Sequence, residues 1–378
     1  MDEREAYIAL NMMEGTGPVG VGALLAMLGS ARAILEADKA DLVRARGAGE
    51  AYARAILAQR KSVDVRAEEA RAESAGIRIV TRIDEEYPAL LREIHDPPLA
   101  LYVRGSLQER DRHGIAVVGT RRPTHYGRET AERLASQLAR AGWTVVSGLA
   151  LGIDTAAHRG ALRAKGRTLA VLGSALDRLY PESNAELADR IAESGAVISE
   201  FPFGRAPDKT TFPMRNRIVS GLATGVVVVE AGKRSGALIT AREALESGRN
   251  VFAVPGRVDS PASVGCHDLL KEGARLVTGV DDVIEEYEQL LPAPGRGSAP
   301  ARPRPPLSDE EARVMEWLDT DGLRDVDGII RGTGLAPATV GSILIQLEMK
   351  RLVRMLPGRV VEPVSVAAAD GAGDRGGA

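Results

Sequence analysis

The spacing of apolar positions changes along this chain, and each change marks a boundary. Residues 5–76 read as helices with no strand pattern. Two glycine turns, Gly15-Thr16-Gly17-Pro18-Val19-Gly20 and Gly47-Ala48-Gly49, precede helical stretches at 21–28 and 50–60. From residue 77 short β-branched runs take over. The runs 77–81 and 99–104 read as strands, and a strict alternation follows. Strands are expected at 115–118, 144–147, 168–172, 196–199, 225–230, 250–254 and 275–278. Helices are expected between them, at 128–141, 154–165, 184–193, 213–222, 237–246 and 263–272. The strand runs are continuously apolar, the pattern of a sheet covered on both faces. Alternation with short connections predicts an α/β fold built on a doubly wound, mostly parallel sheet. Its ligand site is expected outside the carboxyl ends of the strands.

Residues 291–306 are rich in Pro, Gly and Arg, bury no core and read as a linker. Beyond them Ser308-Asp309-Glu310-Glu311 fits a capping box ahead of Val314, Trp317 and Leu318. A short helix at 326–331, a second at 336–350 and a hairpin around Pro357-Gly358 make a C-terminal winged helix. The expected organisation is a helical domain at 1–76, the sheet domain at 77–290, the linker at 291–306, the winged helix at 307–365 and a disordered tail at 366–378.

Composition narrows the function. No apolar run is long enough to span a membrane, and the N-terminus is too charged for a signal peptide. The single cysteine, Cys266, excludes an internal disulfide, and a cytoplasmic protein is the expectation. The formal net charge is −3, so any nucleic-acid site is a focused patch on a mildly acidic surface.

One segment stands out. Three of the 4 phenylalanines lie within Phe201-Pro202-Phe203 and Lys209-Thr210-Thr211-Phe212-Pro213-Met214-Arg215-Asn216-Arg217. Interleaved rings and cations suit single-stranded nucleic acid, where cations meet phosphates and rings stack on bases. The competing reading is a core phenylalanine beside a solvated basic turn. Three glycine turns at strand ends can admit an anion to the backbone: Gly119-Thr120-Arg121, Ser147-Gly148 and Ser235-Gly236. Arg121 adds a guanidinium suited to bidentate phosphate contact. Asp154 is expected to be a helix N-cap, and with His158 four residues on it has metal-ligand spacing. No third ligand supports a metal, so a cap with a hydrogen bond is preferred. For Arg215 and Arg217 a structural role stays open: one pairs with a carboxylate, with Glu230 as a candidate partner. Asn216 has the analogous alternative of bonding a turn backbone. The glycine turns near the N-terminus read as helix-hairpin-helix phosphate sites or, by preference, as plain helix junctions. There is no Gly-x-Gly-x-x-Gly after a strand, no Walker loop and no nucleophile elbow, and no cofactor is expected.

With these segments assembled, the chain closely resembles the bacterial DNA-processing protein A family (DprA/Smf). The resemblance covers most of the chain and is densest from Val117 to Val277. It is carried by the motifs at 118–127, 147–158, 212–218, 229–231, 235–241 and 254–256, with Tyr180-Pro181 and Ser199-Glu200 between them. It implies an extended Rossmann-like domain that binds single-stranded DNA, protects incoming strands in natural transformation and helps load RecA recombinase. It also implies a homodimer and no enzymatic activity. The family's Gly-Ser-Arg turn is Gly119-Thr120-Arg121 here, and its pocket lysine and phenylalanine match Lys209 and Phe212. The expected nucleic-acid contacts are therefore Gly119, Thr120, Arg121, Ser147, Gly148, Lys209, Phe212, Arg215, Asn216, Arg217, Ser235 and Gly236. The start of the candidate recognition helix, Ala336-Pro337-Ala338-Thr339, lacks side chains that read bases, so protein contact is preferred there. The alternative function is a related Rossmann-like hydrolase that cuts the base–ribose bond of nucleoside monophosphates. The segment 230–240 lacks that class's signature.

Overall fold

The computed structural model describes residues 1–44, 49–287, 307–319, 324–350, 352–356 and 360–363. The expected linker at 291–306, the tail at 366–378, the Pro357-Gly358 turn and Gly47 lie outside the described residues. The chain divides into two compact units, Met1–Pro294 and Gly295–Ala378.

The first unit begins with α1 (Glu3–Met12), α2 (Pro18–Leu28), α3 (Ala31–Glu36), α4 (Lys39–Arg44), α5 (Glu50–Gln59) and α6 (Val65–Ser74). These helices share one core with β1 (Ile77–Thr81) and β2 (Ala100–Gly105), which α7 (Ala89–Arg92) separates in sequence. The Tyr52 hydroxyl donates to Gly17 O at 2.9 Å, and a Cβ at Gly20 would lie 2.5 Å from the Tyr52 ring. Close helix packing therefore accounts for the first glycine turn.

The alternating series then runs β3 (Gly114–Val118), α8 (His125–Arg140), β4 (Thr144–Ser147), α9 (Ile153–Arg163), β5 (Thr168–Val171), α10 (Ala185–Ser194) and β6 (Ala196–Ser199). It continues with α11 (Thr211–Gly221), β7 (Gly225–Val228), α12 (Ala237–Glu246), β8 (Asn250–Ala253), α13 (Val264–Lys271), β9 (Arg275–Leu276) and α14 (Asp281–Ile284). The nine strands lie in the order β1-β2-β6-β5-β4-β3-β7-β8-β9. From β6 to β9 every pairing is parallel, and only β1–β2 and β2–β6 are antiparallel. The doubly wound sheet expected from the alternation is thus the one observed.

Why the strand runs are continuously apolar is visible in β3. Ala116 and Val118 face the core beneath α11, α12 and α13, while Ile115 and Val117 face the core beneath α8 and α9. Successive side chains point to opposite faces, so a sheet covered on both needs every position apolar. Winding reverses at β3: β4, β5 and β6 extend one way, and β7, β8 and β9 the other. That reversal opens a crevice at the carboxyl ends of β3 and β7.

The second unit contains α15 (Asp309–Asp319), β10 (Arg324–Asp325), α16 (Val326–Thr333), α17 (Pro337–Met349), β11 (Val353–Leu356) and β12 (Val360–Pro363). The capping box is present: Glu311 N donates to Ser308 Oγ at 3.2 Å, and Ser308 N to the Glu311 carboxylate at 2.7 Å. The sheet order β10-β12-β11 includes a two-residue strand, β10, too short to leave a periodic signal. No single described helix is long and apolar enough to cross a membrane.

Helices α8 and α9 meet backbone to backbone, where a Cβ at Gly160 would lie 2.2 Å from Glu132 O. Backbone cannot yield as a side chain can, so Gly160→Ala should lower unfolding stability by about 1–3 kcal/mol. Gly22 in α2 has nothing within 4 Å of a Cβ. There Gly22→Ala should be neutral or stabilising by up to about 1 kcal/mol. Denaturant unfolding of the two variants checks the contrast, and equal effects would contradict it.

Candidate nucleic-acid cleft

A cleft of about 440 Å³ sits at the reversal point. Its walls are the turn after β3, the turn after β4, the start of α11 and the loop leading into α12. Of the expected contacts, Gly119, Thr120, Arg121, Gly148, Phe212, Arg215, Asn216, Ser235 and Gly236 line it together.

The floor is organised by a buried cation. Arg215, on α11, is only 5% exposed, and its Nη1 donates to Val171 O at 2.9 Å. Its Nε has no partner. A Cβ at position 148 would lie 1.4 Å from Nη1, so the guanidinium occupies space that only glycine leaves open. Burial pulls the Arg215 pKa down, Asp154 opposes that shift, and Arg121 adds to it. An arginine so placed remains charged.

Asp154 is also buried, and its Oδ2 accepts from Gly148 N at 3.1 Å and Ala150 N at 3.4 Å. The N-cap of α9 is Gly152, so Asp154 is a residue of the first turn, not the cap. It braces the turn before the helix, which corrects the capping expectation. Burial raises its pKa and Arg215 lowers it. His158 Nδ1 pairs with Thr168 Oγ1 at 2.7 Å. Among the described residues no group of three or more His, Cys, Asp or Glu is placed to hold a metal ion.

Above the floor lies an aromatic stack. The Arg121 guanidinium sits 4.7 Å from the Phe212 ring centroid, and the Tyr180 ring lies 5.8 Å from Phe212 at 55°. Phe212 is seated because Gly173 has no side chain: a Cβ there would lie 2.8 Å from the ring. Arg121 therefore covers part of the aromatic surface expected to be open. On the opposite wall, Ser235 Oγ accepts from Ala237 N at 3.4 Å where α12 begins. Asn216 Nδ2 donates to Gly236 O at 3.4 Å, the turn-backbone bond anticipated as its alternative role. Exposed Lys233 and Arg234 stand on the same loop.

Three expected contacts lie elsewhere. Ser147 is fully buried and donates through Oγ to Val117 O at 2.7 Å, joining β4 to β3. Lys209 is exposed on the loop before α11 and does not line the cleft. Arg217 is 6% exposed and pairs with Glu200 at 2.6 Å and Asp96 at 2.8 Å. A phosphate-contacting Arg217 is corrected to a structural one, and its partners are not Glu230. Glu230 instead accepts from Thr124 N at 2.8 Å and Thr124 Oγ1 at 2.7 Å, fastening the β3–α8 loop. The sequence reading missed Lys233, Arg234 and Tyr180 as site residues. Tyr180 stands in the Tyr180-Pro181 motif already singled out, and Lys233 and Arg234 stand between two such motifs on the loop after β7, a strand-end position that was the available signal.

Known proteins resemble the chain in the same regions. Residues 78–288 match the family model described as DNA recombination-mediator protein A, and residues 298–359 match the DprA winged helix domain. Protein Smf of Synechocystis sp. is 33% identical over 94% of this chain and 98% of its own length. The crystal structure of DNA processing protein A from Streptococcus pneumoniae aligns with a TM-score of 0.64 at 36% identity, covering 75% of this chain and 97% of that one. DNA processing protein A from Helicobacter pylori, whose structure is described by its single-stranded DNA binding mode, aligns with a TM-score of 0.50 at 30% identity. That alignment covers 56% of this chain and 96% of the other.

The buried histidine beneath the cleft gives a pH test. Burial and Arg215 push the His158 pKa down to about 3, against 6.5 for a free imidazole. The unfolded chain takes up a proton below about pH 6.5 that the folded protein refuses. This contribution is complete above pH 6.5 and is lost as pH falls toward 3, at up to about 1.4 kcal/mol per unit. His158→Asn should reduce the stability lost between pH 6.5 and 4.5 by about 1–2 kcal/mol. Urea unfolding at the two pH values reads this, and an unchanged pH dependence would refute it.

Proposed function

We propose a function from one premise: the chain belongs to the DNA recombination-mediator protein A family. In this reading the cleft binds single-stranded DNA without regard to sequence. The protein protects incoming strands and loads RecA recombinase for homologous recombination in natural transformation. It acts as a cytoplasmic homodimer, needs no cofactor and carries out no bond cleavage.

The observation that carries this reading is the charge balance of the cleft. Arg121, Arg215, Lys233 and Arg234 line it, against one carboxylate, Asp154, which is already bonded to backbone N–H groups. A buried guanidinium with an unpartnered nitrogen favours an anion. The α12 N-terminus supplies further N–H groups for a phosphate. Phe212 and Tyr180 offer ring faces to any base, because every base has a π-face. Arg121 either moves from the Phe212 face as a base arrives or extends the stack with its own plane. The single-stranded DNA binding mode of the Helicobacter pylori relative agrees with this use of the fold.

The hydrolase alternative needs a carboxylate free to work beside a bound nucleotide. Glu230 is held by Thr124 and does not line the cleft, and Glu243 stands outside it. Release of adenine from AMP would restore that reading.

Arg121→Ala and Lys233→Ala should each weaken oligothymidine binding about ten-fold and reduce the salt slope by about one. Arg217→Ala should leave the slope unchanged and lower stability by about 3–5 kcal/mol, since Glu200 then loses its buried partner. Lys209→Ala should change the slope less than Arg121→Ala. Fluorescence anisotropy over a salt series, paired with denaturant unfolding, separates these outcomes. Unchanged affinity in both cleft variants would refute the assignment.

A further inference from the structure

A second recess opens on the carboxyl edge of the sheet, one loop away from the cleft. Its volume is about 570 Å³. Tyr126 forms one wall, and the loop after β8 forms the other through Pro255, Gly256, Ser260 and Ser263. The Tyr126 hydroxyl donates to Pro255 O at 3.0 Å, yet the residue is 49% exposed. The bond holds the side chain in place while ring surface stays open. His267 Nε2 pairs with Gly256 O at 3.0 Å and steadies the opposite wall.

The charged groups around this recess already have partners. Arg257 is paired with Asp259 through two bonds of 3.0 and 2.8 Å. The Glu230 carboxylate at the recess is held by Thr124 at 2.8 and 2.7 Å. A phosphate finds no uncommitted cation here, whereas a flat, uncharged ring finds an aromatic face, a proline and two serines. The recess neighbours the cleft along the β3–α8 loop. Thr120 and Arg121 line the cleft, Thr124 lines the recess, and exposed Arg122 stands on the loop between them. Four residue steps span at most about 14 Å, within reach of a short run of extended nucleotides. On the far side, a Cβ at Gly232 of the cleft would lie 3.4 Å from Pro261 O of the recess loop.

We propose that the recess is a second nucleobase site for the same single strand, with Tyr126 as its stacking platform. The backbone crosses the loop beside Arg122, and the base turns into the recess. This rests on the single-strand reading of the cleft, and the test keeps the two apart.

The experiment compares labelled oligothymidines of about four and about fifteen nucleotides, a range that spans typical site sizes. The full chain is used as wild type, Tyr126→Ala and Tyr126→Phe. The Ala variant should lose about ten-fold affinity for the long oligonucleotide and keep its affinity for the short one. The Phe variant, which retains the ring and loses only the bond to Pro255, should stay within about two-fold of wild type on both. Wild-type affinity of the Ala variant for the long strand would overturn the second site and leave the cleft standing. Equal losses on both lengths, or a Phe variant as weak as Ala, would also overturn it. Wild-type protein that bound neither length would remove the cleft reading and this inference together.

Discussion

A buried guanidinium fixes the geometry of the site. Arg215 rests against Gly148, where a side chain cannot exist, and its bond to Val171 O ties α11 to the end of β5. Charge buried this deeply is costly unless another charge or an incoming ligand compensates it. Asp154 supplies part of that compensation and at the same time holds the N–H groups of Gly148 and Ala150. The cation, the glycine and the carboxylate thus form one unit that shapes the β4–α9 turn. The unpartnered Nε leaves the unit incomplete in a way that an anion would repair.

The sheet explains why that unit sits where a polymer can reach it. Reversal of winding at β3 separates the loops after β3 and β7 and leaves the crevice between them unfilled by a crossover helix. Two carboxylates that would repel a phosphate are occupied close by: Glu230 by Thr124, and Glu200 by Arg217. Exposed Arg121, Lys233 and Arg234 then set the local potential on a chain whose formal net charge is −3. Focused positive charge of this kind favours a bound strand over a coat of nucleic acid.

Much of the fold was legible because a two-faced sheet imposes a strong local rule. The centres of β4 and β7, Val145-Val146 and Val226-Val227-Val228, are apolar at every position, and strands were expected over them at 144–147 and 225–230. The flanking Thr144 and Ser147 are buried with their hydroxyls bonded to Asp111 and Val117 O. The two-residue strands β9 and β10 impose little, so β9 was drawn too long and β10 was missed. At the site, glycine turns at strand ends were readable because close approach demands glycine wherever it occurs. Pairings were not. The partners of Arg217 come from Glu200, after β6, and Asp96, in the α7–β2 connection, and no local pattern encodes them. The spacing that singled out Asp154 and His158 placed both correctly on α9. It could not show that one faces the preceding turn and the other faces Thr168 on β5. Likewise, the sequence marked Phe212 as a stacking ring but not the Arg121 plane lying over it.

In this account a cationic cleft, with Arg215 in its floor and Phe212 above it, selects an unpaired strand. The position of Phe212 beneath the Arg121 plane suits a base that has left its stack, which duplex does not present. The most direct measurement is competition against labelled oligothymidine bound to the wild-type protein, using unlabelled single strand and duplex of equal length. Displacement by single strand at concentrations where duplex fails is the result this account requires. Equal displacement by duplex would contradict it and would move the search for function to the winged helix.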